Sequence, residues 1–231
     1  MDVQNQRRSM EDIVIKICGI TDITQAETSV DAGATHIGLV MAPASPRYVS
    51  DEKAREIVSA VKDRVRVVAL VVDENINDIN DRAAGLGVDA IQFHGGETLE
   101  QIAALERPTF EIWKAAPARD PAGVAAMAEW RDVAQRLVFD APPPSGALYP
   151  GGHGVRFDVS VLSDFDGSLP FVLAGGLTPD NVETAIASAK AIPGFRGVDV
   201  SSGVEAAPGK KDPGKVAAFV AAAREALASP H

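Results

Sequence analysis

The stretch LAGGLTPDNV, residues 173–182, runs from an apolar strand-like segment through two adjacent glycines into a Thr-Pro-Asp helix-entry signal. Glycines at such a junction let the backbone approach an anion closely, while amides and a helix start face it. A second stretch, VDVSSGVE (198–205), ends another β-branched run in two hydroxyls and a glycine. Gly175, Gly176, Ser201, Ser202 and Gly203 therefore read as a phosphate cradle built from two consecutive junctions. Either motif alone reads equally well as a plain tight turn. Together they stand where a (β/α)8 barrel keeps its phosphate site, after strands seven and eight.

Working back from this pair, the chain alternates short β-branched runs with longer segments rich in alanine and charge, the pattern of successive βα units. The runs are IVIKIC (13–18), HIGLVM (36–41), VRVVALVV (65–72), DAIQF (89–93), FEIWKA (110–115), RLVFD (136–140), PFVLA (170–174) and GVDV (197–200). Helices are expected to begin near Asp22, Asp51, Asn75, Glu97, Pro121, Asp158, Pro179 and Pro213. Thr178-Pro179 and Asp212-Pro213 each place a capping side chain before a first-turn proline, and Gly33 and Gly85 suit helix stops. Eight such pairs predict an α/β fold, a single-domain (β/α)8 TIM barrel over residues 13–231. An open doubly wound sheet is the rival, but no G-x-G-x-x-G follows the first strand. Residues 1–12 are expected to be a disordered or loosely attached N-terminal extension, with Met10 an equally good start. The proline- and glycine-rich stretch APPPSGALYPGGHG (141–154) breaks the alternation and reads as a functional loop.

The 231 residues are 46% hydrophobic, ample for a large core, and carry a formal net charge of −10. That charge argues against nucleic acid and membrane partners, which select basic surfaces. The single cysteine closes no intrachain disulfide, and no signal-like or membrane-spanning segment stands out, so a cytoplasmic location is expected. With one cysteine, no zinc-type cysteine pair is possible.

That cysteine, Cys18, ends the first run on the same strand face as Val14 and Lys16. It is placed at the carboxyl end of the strand, where barrel enzymes do their chemistry. A free cysteine is often only a small core hydrophobe. At a barrel mouth, helix amino termini are expected to lower its pKa and favour thiolate. Asp140 ends the sixth run and brings a carboxyl group to the opposite side, although aspartate also commonly caps a turn. A thiolate and a carboxylic acid flanking a bound sugar would divide a proton transfer between them.

KICGITD (16–22), GLVMAPASPRYVS (38–50), QFHGGE (92–97), GGHGVRFD (151–158), the two cradle stretches and PGKKD (208–212) occur in an order that resembles the phosphoribosylanthranilate isomerase family of tryptophan biosynthesis. The resemblance runs from about Ile13 to about Leu227. It implies an Amadori rearrangement of a phosphosugar substrate without metal or cofactor, with Asp140 as general acid and Cys18 as general base. It also implies that Arg47 meets the anthranilate carboxylate and that His94 lies near the substrate; the family includes monomers and homodimers. Met41, Asp73 and His153 stand where phenylalanine, asparagine and threonine are more usual, and none of these removes a catalytic group.

One expectation concerns the barrel interior. Lys16 points inward beneath Cys18, and a buried ammonium needs a partner. Asp199 shares the inward face of the eighth run with Ser201, and closure brings that run beside the first. A Lys16–Asp199 pair across the seam is predicted, with Asp199 at the substrate site. Among rival readings, a histidine-pathway aminoaldose isomerase would carry aspartate at position 18, and a pentose-phosphate epimerase would need clustered histidines, whereas the four here are scattered. A silent phosphosugar-binding module would have no need of both Cys18 and Asp140.

Overall fold

The structure, a computed structural model, describes residues 13–105, 108–140 and 159–229. The expected extension 1–12, the loop 141–154 and His153 lie outside them. Each β-branched run forms a strand, in the order β1 (Val14–Cys18), α1 (Ile23–Ala32), β2 (His36–Val40), α2 (Asp51–Val61), β3 (Arg66–Val71), α3 (Ile76–Leu86) and β4 (Ala90–Phe93). There follow α4 (Leu99–Ala103), β5 (Glu111–Pro117), α5 (Pro121–Ala126), β6 (Arg136–Asp140), β7 (Phe171–Leu173), α6 (Val182–Ala189) and β8 (Phe195–Val200). A small hairpin of β9 (Glu205–Ala207) and β10 (Lys210–Lys211) precedes the last helix, α7 (Pro213–Ala228). Strands β1 to β8 pair in sequence order, and β8 pairs with β1 in parallel. Closure removes both sheet edges and rules out the open doubly wound alternative.

The two faces of the sheet bury different things. Outward side chains such as Ile15, Ile17, Ile37 and Leu39 pack against the helix ring in one large cluster. Inward, Val14, Val68, Ala90, Trp113, Val138 and Val172 plug the barrel floor. Full burial of each aliphatic side chain contributes roughly 1.5–3 kcal/mol. Trp113 lies between the His36 ring, 5.4 Å away, and the Arg136 guanidinium, 5.1 Å from its centroid. Nearer the carboxyl ends, Cys18, Val40 and Leu70 form a separate apolar collar.

Helix entries follow the capping logic at several points. Asp22 accepts from the Gln25 amide at 2.8 Å, Thr98 and Gln101 complete a capping box, and Asp212 accepts from the Lys215 amide at 3.0 Å with Pro213 in the first turn. Three boundaries differ from the sequence reading. Thr178–Asn181 is a turn, and α6 starts only at Val182, because the Asn181 side chain takes the Thr178 amide and ties the loop down. Helix α3 runs through Gly85 to Leu86, whose side chain is buried, and stops at Gly87 in the left-handed region. The helix expected from Asp158 is, among the described residues, a 3-10 turn over Val159–Leu162, a segment of two valines and a serine with weak helix propensity. No helix among the described residues is long and apolar enough to cross a membrane.

Candidate active site

The strand ends that face one another at the carboxyl end of the barrel line a single cavity. Cys18, Arg47, His94, Asp140 and Asp199 reach it from five segments of the chain. Gly175, Gly176, Ser201, Ser202 and Gly203 line its far side. All ten residues singled out in the sequence therefore meet in one place.

The cradle depends on backbone geometry that side chains would obstruct. Gly175 and Gly176 both adopt positive φ, 85° and 62°, so the chain turns tightly after β7. Asn181 donates from Nδ2 to the Gly176 carbonyl at 2.9 Å and holds the turn closed. At Gly203 a Cβ would stand 1.8 Å from the Leu177 carbonyl oxygen, so the β7 and β8 loops touch through that glycine. The two motifs are one surface.

Cys18 ends β1 opposite Gly38 of β2 and is almost fully buried. Gly19 then turns the chain at φ 77°, and the amides of Gly19 and Ile20 both donate to the Gly38 carbonyl, at 2.9 and 3.0 Å. A Cβ at Gly19 would lie 2.5 Å from Arg47 Cδ, so the arginine stem crosses directly over it. The expectation of a lowered thiol pKa is corrected here. Burial pushes the Cys18 thiol up, while Lys16 and Lys211 pull it down and Asp199 opposes them. The apolar collar outweighs the positive charges around the sulfur.

Lys16 is fully buried and donates to Asp199 Oδ2 at 2.8 Å, the seam pair expected from strand alternation. Burial works against its charge, but Asp199 and the sulfur raise its pKa above the ordinary lysine value. At Arg47 the structure adds what the sequence did not reveal. Glu205, at the start of β9, accepts from Arg47 Nε and Nη2, both at 2.8 Å, and Lys211 of β10 donates to the same carboxylate at 2.8 Å. This bidentate clamp fixes the guanidinium plane at the cavity wall. Burial favours neutral Glu205, yet the two cations hold its carboxyl below the usual range. The signal lay in VSSGVE and PGKKD, but the hairpin that folds Lys211 back onto Glu205 is a tertiary feature.

His94 accepts its place from Gln92, whose side-chain nitrogen is 3.0 Å from Nδ1. With the amide donating there, the ring proton sits on Nε2, which faces Asp140 Oδ2 at 3.7 Å. Burial, with Lys16 and Lys114 nearby, lowers the His94 pKa to about 4, so the ring is neutral at physiological pH. Gln92, fully buried in the barrel, is a positioning side chain that strand alternation alone did not flag. Asp73 takes positive φ, 51°, and its carboxylate accepts from the Gly96 amide at 2.7 Å, while Met41 is buried. Both unusual residues thus fit the fold. Among the described residues no group of three His, Cys, Asp and Glu side chains is disposed to hold a metal ion.

A thiol and a carboxyl group thus share one cavity with two glycine-bearing loops. The model of the family described as N-(5'phosphoribosyl)anthranilate (PRA) isomerase matches residues 15–222. The N-(5'-phosphoribosyl)anthranilate isomerase of Rhodopseudomonas palustris (strain BisB5) is 43% identical over 213 residues, covering 92% of this chain and 96% of the relative. The crystal structure of phosphoribosyl anthranilate isomerase from Thermotoga maritima superposes with a TM-score of 0.80 at 33% identity, covering 92% of this chain and 99% of that one. A solved phosphoribosyl anthranilate isomerase in complex with reduced 1-(O-carboxyphenylamino)-1-deoxyribulose 5-phosphate gives a TM-score of 0.78 at 31% identity, with 92% and 99% coverage. The match takes in Cys18, Asp140 and both loops of the cradle, and the chain belongs to the N-(5'-phosphoribosyl)anthranilate isomerase family.

Proposed function

We propose that Asp140 and Cys18 divide the proton transfers of this isomerase between them, one as general acid and the other as general base. The overall reaction is that of the family, an aldose–ketose isomerisation of N-(5'-phosphoribosyl)anthranilate in tryptophan biosynthesis. In the proposed sequence Asp140 protonates the ribose ring oxygen and the ring opens to an iminium. Cys18, as thiolate, then removes the proton from C2. The resulting enolamine takes a proton at C1 and gives up the proton of its C2 hydroxyl, becoming the ketone, 1-(2-carboxyphenylamino)-1-deoxyribulose 5-phosphate. The observation that carries this reading is that the thiol and the carboxyl group line the same cavity as the double-loop cradle.

The raised thiol pKa supports an order of events. A thiol must give up its own proton before it can act as base; ring opening puts a positive charge on the substrate that favours this loss, and the Asp140 carboxylate left by that step is the proposed acceptor. The iminium makes the C2 proton acidic and at the same time favours the thiolate that takes it. Arg47, oriented by Glu205, is the proposed partner of the anthranilate carboxylate, and a planar guanidinium suits that task. The solved ligand complex of a relative, with a carboxyphenyl group at one end and a phosphate at the other, is consistent with both assignments.

The fluorescence of freshly prepared phosphoribosylanthranilate gives the direct test. Its enzyme-dependent decay is expected, with the ketose as product, and no decay above the uncatalysed rate would overturn the reading. The cradle makes a separate prediction. Gly203→Ala forces a methyl group into the Leu177 carbonyl, and overpacking of this kind costs about 1–3 kcal/mol. KM should rise about tenfold if that strain falls on phosphate binding. A wild-type KM in steady-state kinetics would show that contact between the loops does not shape the cradle.

A further inference from the structure

The Lys16–Asp199 pair has a strange address for a structural element. Replacing a buried ion pair by apolar residues often leaves stability unchanged or improves it, so such a pair is a weak device for holding a barrel together. This one lies in the inward layer directly beneath the sulfur. Strand alternation stacks Lys16 under Cys18 on β1, and register sets Asp199 of β8 beside Lys16. The neighbouring strand shows how tightly the two side chains converge. At Gly38 a Cβ would fall 2.6 Å from Cys18 Sγ and 3.1 Å from Lys16 Cε, so only a glycine lets sulfur and lysine stem close over the same spot. Asp199 spends Oδ2 on the ammonium, and its Oδ1 has no hydrogen-bond partner among the described residues.

We propose that Lys16, clamped by Asp199, is a positioning residue for Cys18: its ammonium stabilises the thiolate form of the base from below, and Asp199 limits how far. The proposal deepens the assignment of Cys18 as general base and rests on it for its catalytic meaning. Other charged groups also face the sulfur or its cavity. Lys211 of β10 also favours the thiolate, and Arg47, His94 and Asp140 lie around the cavity wall. Lys16 and Asp199 differ from these in acting with opposite sign from one buried contact.

The single cysteine makes the test clean, because thiolate absorbance against pH, with Cys18→Ala as blank, reports residue 18 alone. In the free enzyme Lys16→Met is expected to move the thiol titration to higher pH, cutting the thiolate fraction at neutral pH by roughly tenfold or more. Asp199→Asn is expected to move it to lower pH. If the pair were only structural, losing it would hydrate the sulfur and shift both variants the same way, down toward the ordinary thiol value. Should Lys16→Met alone fail to fold, with Asp199 left unpaired, the comparison passes to Asp199→Asn against the double variant Lys16→Met/Asp199→Asn. The double variant is expected to titrate higher. Equal titrations, or a downward shift on removing Lys16, would overturn the proposal. A shifted titration that leaves the pH profile of kcat/KM unmoved would uphold the effect of Lys16 on the thiol and instead overturn Cys18 as the base.

Discussion

In a Cys18→Ala enzyme, turnover of phosphoribosylanthranilate is expected to fall by roughly two to four orders of magnitude, the usual contribution of a positioned general base. Substrate affinity should change little. In the proposed binding mode the phosphate end rests on the β7 and β8 loops and the carboxylate end on Arg47, and these meet the β1 end only at Gly19, where a Cβ would come close to the Arg47 stem and Ser201 Oγ. Truncation leaves the Lys16–Asp199 pair intact and opens a small void in the collar of Val40 and Leu70. The barrel therefore stays folded, and the loss is read in kcat. Cys18→Ser should behave alike, since a hydroxyl keeps the shape but does not ionise under these conditions. An enzyme that retains wild-type kcat after either change has its base elsewhere. Steady-state kinetics with thermal unfolding as a control makes the distinction.

Asp140→Asn is expected to lower kcat by a similar factor for a different reason. The amide has the size of the carboxyl group and keeps its place beside His94, but it has no acidic proton to give the ring oxygen. His94 does not replace it. Its pKa of about 4 leaves the ring neutral at pH 7, and its Nε2 lies 3.7 Å from Asp140, longer than a hydrogen bond. Since neutral His94 brings no positive charge to Asp140, removing it should have the smaller effect, through the orientation of the carboxyl group. If Asp140→Asn keeps near-normal kcat, ring opening needs no acid from the protein.

Much of this architecture was legible in the chain because it rests on local rules. Period-two alternation put Lys16 under Cys18 and Asp199 beside Ser201, and closure of the barrel then dictated the seam pair now seen at 2.8 Å. The glycine junctions after β7 and β8 pointed to residues that do line the cavity. Less was legible where distant segments decide the outcome. The Glu205 clamp joins residues 158 positions apart in the sequence, and its partner Lys211 arrives only through the β9–β10 hairpin. Gly85 and Gly87 are both competent helix stops, and burial of Leu86, a tertiary demand, selects the second. The state of the thiol depends on tertiary structure in the same way. Helix termini were inferable from sequence, whereas the collar of Val40 and Leu70 that dehydrates the sulfur exists only once β2 and β3 are in place.

The division of labour between sulfur and carboxyl group is tested most directly by a C2-deuterium isotope effect in the two slowed variants. With C2-deuterated phosphoribosylanthranilate, Cys18→Ser should show a large primary effect on kcat, because removal of that hydrogen has become the slow step. Asp140→Asn should show an effect near unity, because its slow step is ring opening, which leaves the C2–H bond whole. A Cys18→Ser enzyme indifferent to deuterium, or an Asp140→Asn enzyme strongly slowed by it, would contradict the assignment of base and acid.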